Sequence, residues 1–269
     1  MGYKGQRKIQ KRVAAPKNWY LGKLKGVYGV KASAGPHKTK QCLPLCVLLQ
    51  QRLKYAFSRD ECRRICRNKE GLIKVDGQVR RDHRFPLGNM DVVSIEKTNE
   101  HFRILLDAKG RFVPHRIDAK EASFKLCKIV QKRIGKNKIP YVVTHDGRTI
   151  RYPHPDIEKG DSVKLNLATK EIELVIKNAQ GASCTIVGGN NIGRTGVLQS
   201  VEKHPGSFDI AHVRDARGQS FSTRAGNVII IGAGKEPVIS LPRGEGLRLT
   251  LLEERNERFG EEAADSDDN

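Results

Sequence analysis

The chain has 269 residues, 50 Lys and Arg against 30 Asp and Glu, and a formal charge of +20, too long for one small domain and too basic for a small acidic substrate to explain. Two or three small domains serving a polyanion, nucleic acid first, are therefore expected. No apolar run nears the ~20 residues of a membrane helix, and six cysteines with no secretion signal ahead of them read as thiols of a reducing compartment.

Residues 1–41 hold eleven cations and no acid, and form an expected basic RNA-binding arm. Lys4, Arg7, Lys8, Lys11, Arg12 and Lys17 supply charge for phosphates, and Trp19, with Tyr20 and Tyr28, supplies flat faces for stacking. Glycines, prolines and the lack of a long hydrophobic period leave the arm unable to order itself, so it is expected to fold on RNA.

Residues 42–97 change texture. In "LPLCVLLQQRLKYAFSRDECRRICRNK", Pro44 suits a first helical turn, and Leu45, Leu49, Leu53 and Ala56 recur near helical spacing. Ser58 and Glu61 form an S-x-x-E capping box for a second helix. Cys62, Ile65 and Cys66 fall on its core side, and Arg59, Arg63, Arg64 and Arg67 cover the rest. Asp76-Gly77 marks a tight hairpin, followed by a basic loop with Arg80, Arg81, His83 and Arg84 and a last strand in "GNMDVVSI". The Cys-x-x-x-Cys pairs at 42/46 and 62/66 have the i, i+4 spacing of buried helix residues rather than zinc-knuckle spacing, so no metal is expected.

Residues 98–176 read as a central β domain, a small barrel with hairpins around Lys109-Gly110 and Asp146-Gly147. "AKEASFKLCKIVQKRI" starts helical and ends extended. In residues 177–234, "GGNNIGRT" differs by one side chain from a phosphate-binding loop, but Arg194 replaces the lysine and "GVLQSVEKH" continues as a strand. Its glycines are expected to serve a sharp strand bend, with Asn190, Asn191 and Arg194 at an exposed tip facing RNA. Residues 235–269 are a C-terminal extension with an acidic tail. The fold class is α+β, mostly β.

The order helix, helix, "IKVDGQV", "GNMDVVSI" resembles the alpha-L RNA-binding fold, which implies RNA contacts from Arg59, Arg63, Arg64, Arg67, Arg80 and Arg81. "CTIVGGNNIGRTGVLQSVEKHPGSFDIAHVRD" resembles the KOW motif of SH3-like barrels. Together with "KRVAAPKNW", "GPHK", "THDGRTIRYP", "HPGSFDI" and "LPRGEGLRLTLLEERNERF", these segments resemble the eukaryotic and archaeal family of small-subunit ribosomal protein four. That resemblance implies a non-enzymatic constituent of the small subunit that binds its rRNA, supports assembly and meets neighbouring ribosomal proteins. It implies no cofactor, catalytic residue, small-molecule substrate or membrane partner. The place implied is the cytoplasmic ribosome, after passage through the nucleolus if the source is eukaryotic. Two other classes are open to the same modules. An RNA-modifying enzyme with an alpha-L domain would need a large catalytic domain and a G-R-L-D-like motif, which the sequence lacks. A KOW-type transcription factor would need neither the arm nor the alpha-L module.

Overall fold

A computed structural model describes residues 9–234, 236–242, 244 and 246–259; the candidate contacts Lys4, Arg7 and Lys8 lie outside the described residues. The described chain is mostly β, in antiparallel sheets, with few helices.

The leucines of "LPLCVLLQQRL" all need cover, and a regular helix would hide only one stripe of them. One α-turn, Leu45–Val47, instead widens into a π-type turn, Leu48–Arg52, in which Leu53 N–H donates to the Leu48 carbonyl at 3.0 Å. Leu45, Leu48 and Leu49 are all buried as a result. This corrects the expected regular helix: Pro44 precedes the turn, paired with Pro86 in a two-residue ladder, and Lys54 ends the segment at φ +58°. The second helix, Arg59–Arg67, forms behind the expected box. Ser58 Oγ accepts from Glu61 N–H at 3.2 Å, and Glu61 Oε2 accepts from Ser58 N–H at 3.4 Å.

The first sheet orders its strands Gln78–Val79, Ile73–Val75, Val92–Ile95, Glu100–Leu106 and Phe112–Ile117. An expected domain boundary after residue 97 falls inside this sheet, because Ile95 pairs with Glu100 across the turn. The hairpin from 100 to 117 therefore extends the sheet beside the helix pair. Strand alternation then serves two cores: Ile104 and Leu106 face the helix pair and Trp19, whereas Leu105 joins the core of the C-terminal sheet.

The second sheet runs Thr149–Arg151, Pro140–Thr144, Phe124–Ile134, Ser162–Asn166 and Ile172–Ile176. The third runs Ser220–Arg224, Ile210–Arg214, Thr195–Glu202, Ser183–Ile186 and Val228–Gly232. A helix the sequence reading did not place, Leu251–Phe259, is capped by Thr250, whose Oγ1 accepts from Glu253 N–H at 3.3 Å. It docks by Arg217–Glu253 at 2.5 Å and by a Lys109–Glu254 ion pair.

Two buried lysines join the sheets. Lys125, fully buried, places Nζ 2.8 Å from Asp76, 2.5 Å from Asp91 and 3.1 Å from Asp146. Arg148 bridges Asp76 and Asp146 at 2.8 and 2.7 Å, and His37 of the arm reaches Asp91 at 3.1 Å. Burial opposes the charges of Asp91, Asp146 and Lys125, yet their attraction prevails: Asp91 and Asp146 are held far below the usual carboxylate range and Lys125 well above its ordinary value. Lys128 donates to the carbonyls of Ala225, Gly226 and Val228 at 2.9, 3.0 and 2.5 Å, fastening the second sheet to the third.

Residues 9–41 depart from the expected arm that cannot order itself. They do not build a core of their own; they share that of the helix pair. Trp19 is fully buried there, its indole N–H donating to the Cys42 carbonyl, and Arg52 donates to the Trp19 carbonyl at 3.2 Å. Ser33 donates to Asp82 through Oγ at 2.6 Å and to the Arg84 carbonyl through its amide at 2.9 Å.

Candidate nucleic-acid interface

The capped helix buries Cys62 and Cys66 against the leucines and leaves Arg59, Arg63, Arg64 and Arg67 exposed. Beside it, the loop after the Asp76-Gly77 hairpin is tied down at two points. The His83 carbonyl accepts from Cys46 N–H at 2.8 Å, and Asp82 accepts from Arg84 N–H at 2.9 Å. His83 reports the local field: burial lowers its pKa first, and the positive charges of Arg59, Arg84 and Arg63 lower it further, against the pull of Asp82. Asp60 and Glu61 on the helix and Asp82 on the loop stand among these cations, with Arg63 3.9 Å from Asp60 and Arg84 3.8 Å from Asp82, exposed pairs worth little in water.

Not every expected contact joins this face. Arg81 is exposed in the loop, but Arg80 is half-buried, 4.7 Å over the Phe85 ring and 2.8 Å from Gln78, and braces its own loop. In the arm, Lys11 and Lys17 are exposed, whereas Arg12 spends its guanidinium on the carbonyls of Gly22 and Tyr28, both at 3.4 Å. Trp19 is corrected from a stacking group to a core residue, since its ring has no exposed face. Arg84, outside the set the alpha-L resemblance implied, belongs to the cluster; its signal was its place in "RRDHR".

At the glycine-rich bend, the expected exposed tip is corrected for Arg194. Its side chain is only 12% exposed, paired with the buried carboxylate of Asp215, and its guanidinium lies 3.9 Å over the Phe221 ring. Arg194 also donates to Asn191 at 3.2 Å, and Asn191 donates to the Ser222 carbonyl at 3.3 Å; Asn190 is exposed. The glycines serve close packing. Gly193, at φ +80°, lies so near the Asp107 carbonyl that a Cβ would overlap it, while Ile192 packs on Gly110. The strand Thr195–Glu202 follows directly, leaving no helix N-terminus to hold a phosphate.

Among the described residues, one trio brings three metal-binding atoms within 4.8 Å of one another: Cys127, His145 and Asp146. Its Asp146 Oδ2 already accepts from Lys125 and Arg148, so a further cation meets two positive charges. The four thiols of the helix-pair segment line the core, where burial pushes Cys42 up to about 11 and Cys66 up to about 12.

Three family models match successive parts of the chain: "RS4NT (NUC023) domain" over residues 4–40, "Ribosomal family S4e" over 98–172, and "40S ribosomal protein S4 C-terminus" over 215–262. The 30S ribosomal protein S4e from Thermoplasma acidophilum has a solved structure that superposes with a TM-score of 0.63 at 30% identity, covering 74% of this chain and 99% of that one. The chain belongs to the S4e family of ribosomal proteins. The S4e match over 98–172 takes in four strands of the second sheet, with both buried lysines, and reaches the first residue of the fifth.

Proposed function

We propose that this S4e protein, a structural constituent of the small ribosomal subunit, holds the subunit's rRNA on the surface made by the helix Arg59–Arg67 and the loop 80–84. The observation that carries this reading is that the helix bearing exposed Arg59 and Arg63 and the loop bearing exposed Arg84 are anchored on one residue, Cys62 Sγ donating to the Cys46 carbonyl at 3.7 Å and Cys46 N–H to the His83 carbonyl at 2.8 Å. Exposed guanidinium groups on a rigid, capped helix bind phosphates with little ordering cost and release counterions from the RNA. Arg64, Arg67 and Arg81 widen the same face, and Lys11 and Lys17 continue the positive charge along the docked arm. The buried ion cluster around Lys125 serves this role indirectly, by fixing arm, first sheet and second sheet as one body before RNA arrives.

The protein's role is structural, as in the family, and its place is the cytoplasmic ribosome, reached in a eukaryotic cell through nucleolar assembly. Neighbouring ribosomal proteins of the small subunit are its protein partners. The double charge reversal Arg63→Glu with Arg67→Glu tests the surface. Affinity for purified small-subunit rRNA falls by more than about tenfold, and the slope of log affinity against log salt drops by about 2 as two phosphate contacts are lost. The melting temperature holds, because both side chains are exposed. Unchanged affinity and slope would return the helix to a merely solvated face.

A further inference from the structure

A second basic surface lies on the second sheet, far along the chain from the helix arginines. The strand Phe124–Ile134 is buried for its first six residues and exposed for its last five. Its neighbour Ser162–Asn166 pairs only as far as Lys128, so the exposed end is held from one side, by Pro140–Thr144 and then Thr149–Arg151. The register places Arg133 opposite Tyr141 and Tyr141 opposite Arg151. Directly opposed residues share a sheet face, with Cβ atoms about 5 Å apart. The row one step along, Lys132, Val142 and Ile150, faces the other way: Val142, fully buried, and Ile150 join the sheet's core, and exposed Lys132 donates to the Pro155 carbonyl at 2.6 Å. Arg133, Tyr141 and Arg151 therefore form a cation, aromatic, cation row on the outer face. Tyr141 is half-buried, its ring held against Gly135, where an added Cβ would meet ring carbons at 3.3 and 3.4 Å. Lys136 and Lys138 crown the tip, exposed.

Charge alone would guard a free strand edge, but either sign of charge does that. From Ala122 to His145 the sequence holds no Asp or Glu, and among the described residues no acid pairs with Arg133, Lys136, Lys138 or Arg151. A one-signed surface with an aromatic ring at its centre matches a partner that brings phosphates and exposed bases together.

We infer that this hairpin is a second RNA-binding surface, taking a single-stranded segment of rRNA with a base on Tyr141 and flanking phosphates on Arg133 and Arg151. The inference rests on the rRNA-binding role proposed above. The test uses the full chain, purified small-subunit rRNA titrated over a range of salt, and ultraviolet cross-linking with peptide mapping. Arg133→Glu with Arg151→Glu should weaken binding about tenfold and lower the salt slope by about 1.4, the value for two phosphates of a single strand. Tyr141→Ala should weaken binding with the slope unchanged, Tyr141→Phe should restore it, and Tyr141 should appear in a cross-linked peptide of the wild type. The arginine pair and Tyr141→Phe keep the fold intact, so the test survives even if Tyr141→Ala melts early.

Normal binding by the arginine pair, while Arg63→Glu with Arg67→Glu still weakens it, overturns the hairpin site and leaves the helix surface standing. A wild-type chain that binds no rRNA overturns both. If the arginine pair binds rRNA normally but loses a protein neighbour from isolated subunits, the face belongs to a protein and the inference is overturned.

Discussion

Replacing Lys125 by Met removes one ammonium and leaves three carboxylates. The side chain is fully buried and lies 2.5 to 3.1 Å from Asp76, Asp91 and Asp146, so Met fills nearly the same space and the loss is electrostatic. Arg148 remains on Asp76 and Asp146, but Asp91, itself 1% exposed, keeps only His37 and the Gly88 amide, which donates to it at 2.7 Å. Removing one partner of a buried ion group costs about 3–5 kcal/mol, and for a chain of this size each kcal/mol shifts Tm by roughly 2–4 °C, giving a drop of about 6–20 °C. The pH dependence gives the second readout. In the wild type the folded pKa values of Asp91 and Asp146 lie below their unfolded values, so their stabilisation is fully present above about pH 4 and drains as pH falls through the folded values. In the variant, Asp91 is buried with little compensation and its folded pKa rises, so protonation relieves the strain. The gap in Tm between wild type and variant is therefore widest near pH 7 and narrows toward pH 4. Thermal melts across that range measure it. A Tm loss under about 2 °C, or a gap that does not change with pH, would refute the claim that this cluster locks the three elements.

Gly193→Ala combines a left-handed backbone, about 1–2 kcal/mol for an L residue, with overlap onto the Asp107 carbonyl, and should lose at least 2 kcal/mol or so in chemical denaturation. Gly189→Ala is the control: its φ of +85° is similar, but the nearest atom would be 3.5 Å away, so it should lose about 1 kcal/mol, and equal losses would show that the bend is not packed on the Asp107 turn. Trp19→Ala empties a fully buried site and should cost about 3–5 kcal/mol. It should also speed proteolysis within residues 9–41, and hydrogen exchange on the RNA-free wild type should show protection at the Ser33 amide; rapid exchange there would mean the arm docks only on RNA.

What the sequence revealed was local. Ser58 and Glu61 sit three residues apart, and Asp76-Gly77, Lys109-Gly110 and Asp146-Gly147 each carry a whole turn in two residues, so propensity alone placed the helix and the hairpins. What it concealed depends on partners distant in sequence. Trp19 among lysines looks like a stacking group until the Cys42 carbonyl and the leucine core are beside it. Arg194 looks free until the fold brings Asp215 across, and Lys125, in a basic strand, gives no hint of carboxylates at 76, 91 and 146. The first helix misled for a different reason: too many leucines needed burial for one stripe, and a π-type turn resolved the conflict. At the candidate surface, the helix arginines were legible from their spacing, but the row Arg133, Tyr141, Arg151 exists only in the strand register.

The central claim, that this chain is an rRNA-bound constituent of the small subunit, is met most directly by sedimentation. Tagged full-length protein in a cell lysate is run through sucrose gradients at low and high salt, and each fraction is probed for the tag and for small-subunit rRNA. The account predicts that protein and small-subunit rRNA peak together at low salt, and that at high salt Arg63→Glu with Arg67→Glu is released at a lower concentration than the wild type. Protein that stays at the top of the gradient at low salt, or that travels with RNA polymerase instead, would contradict it.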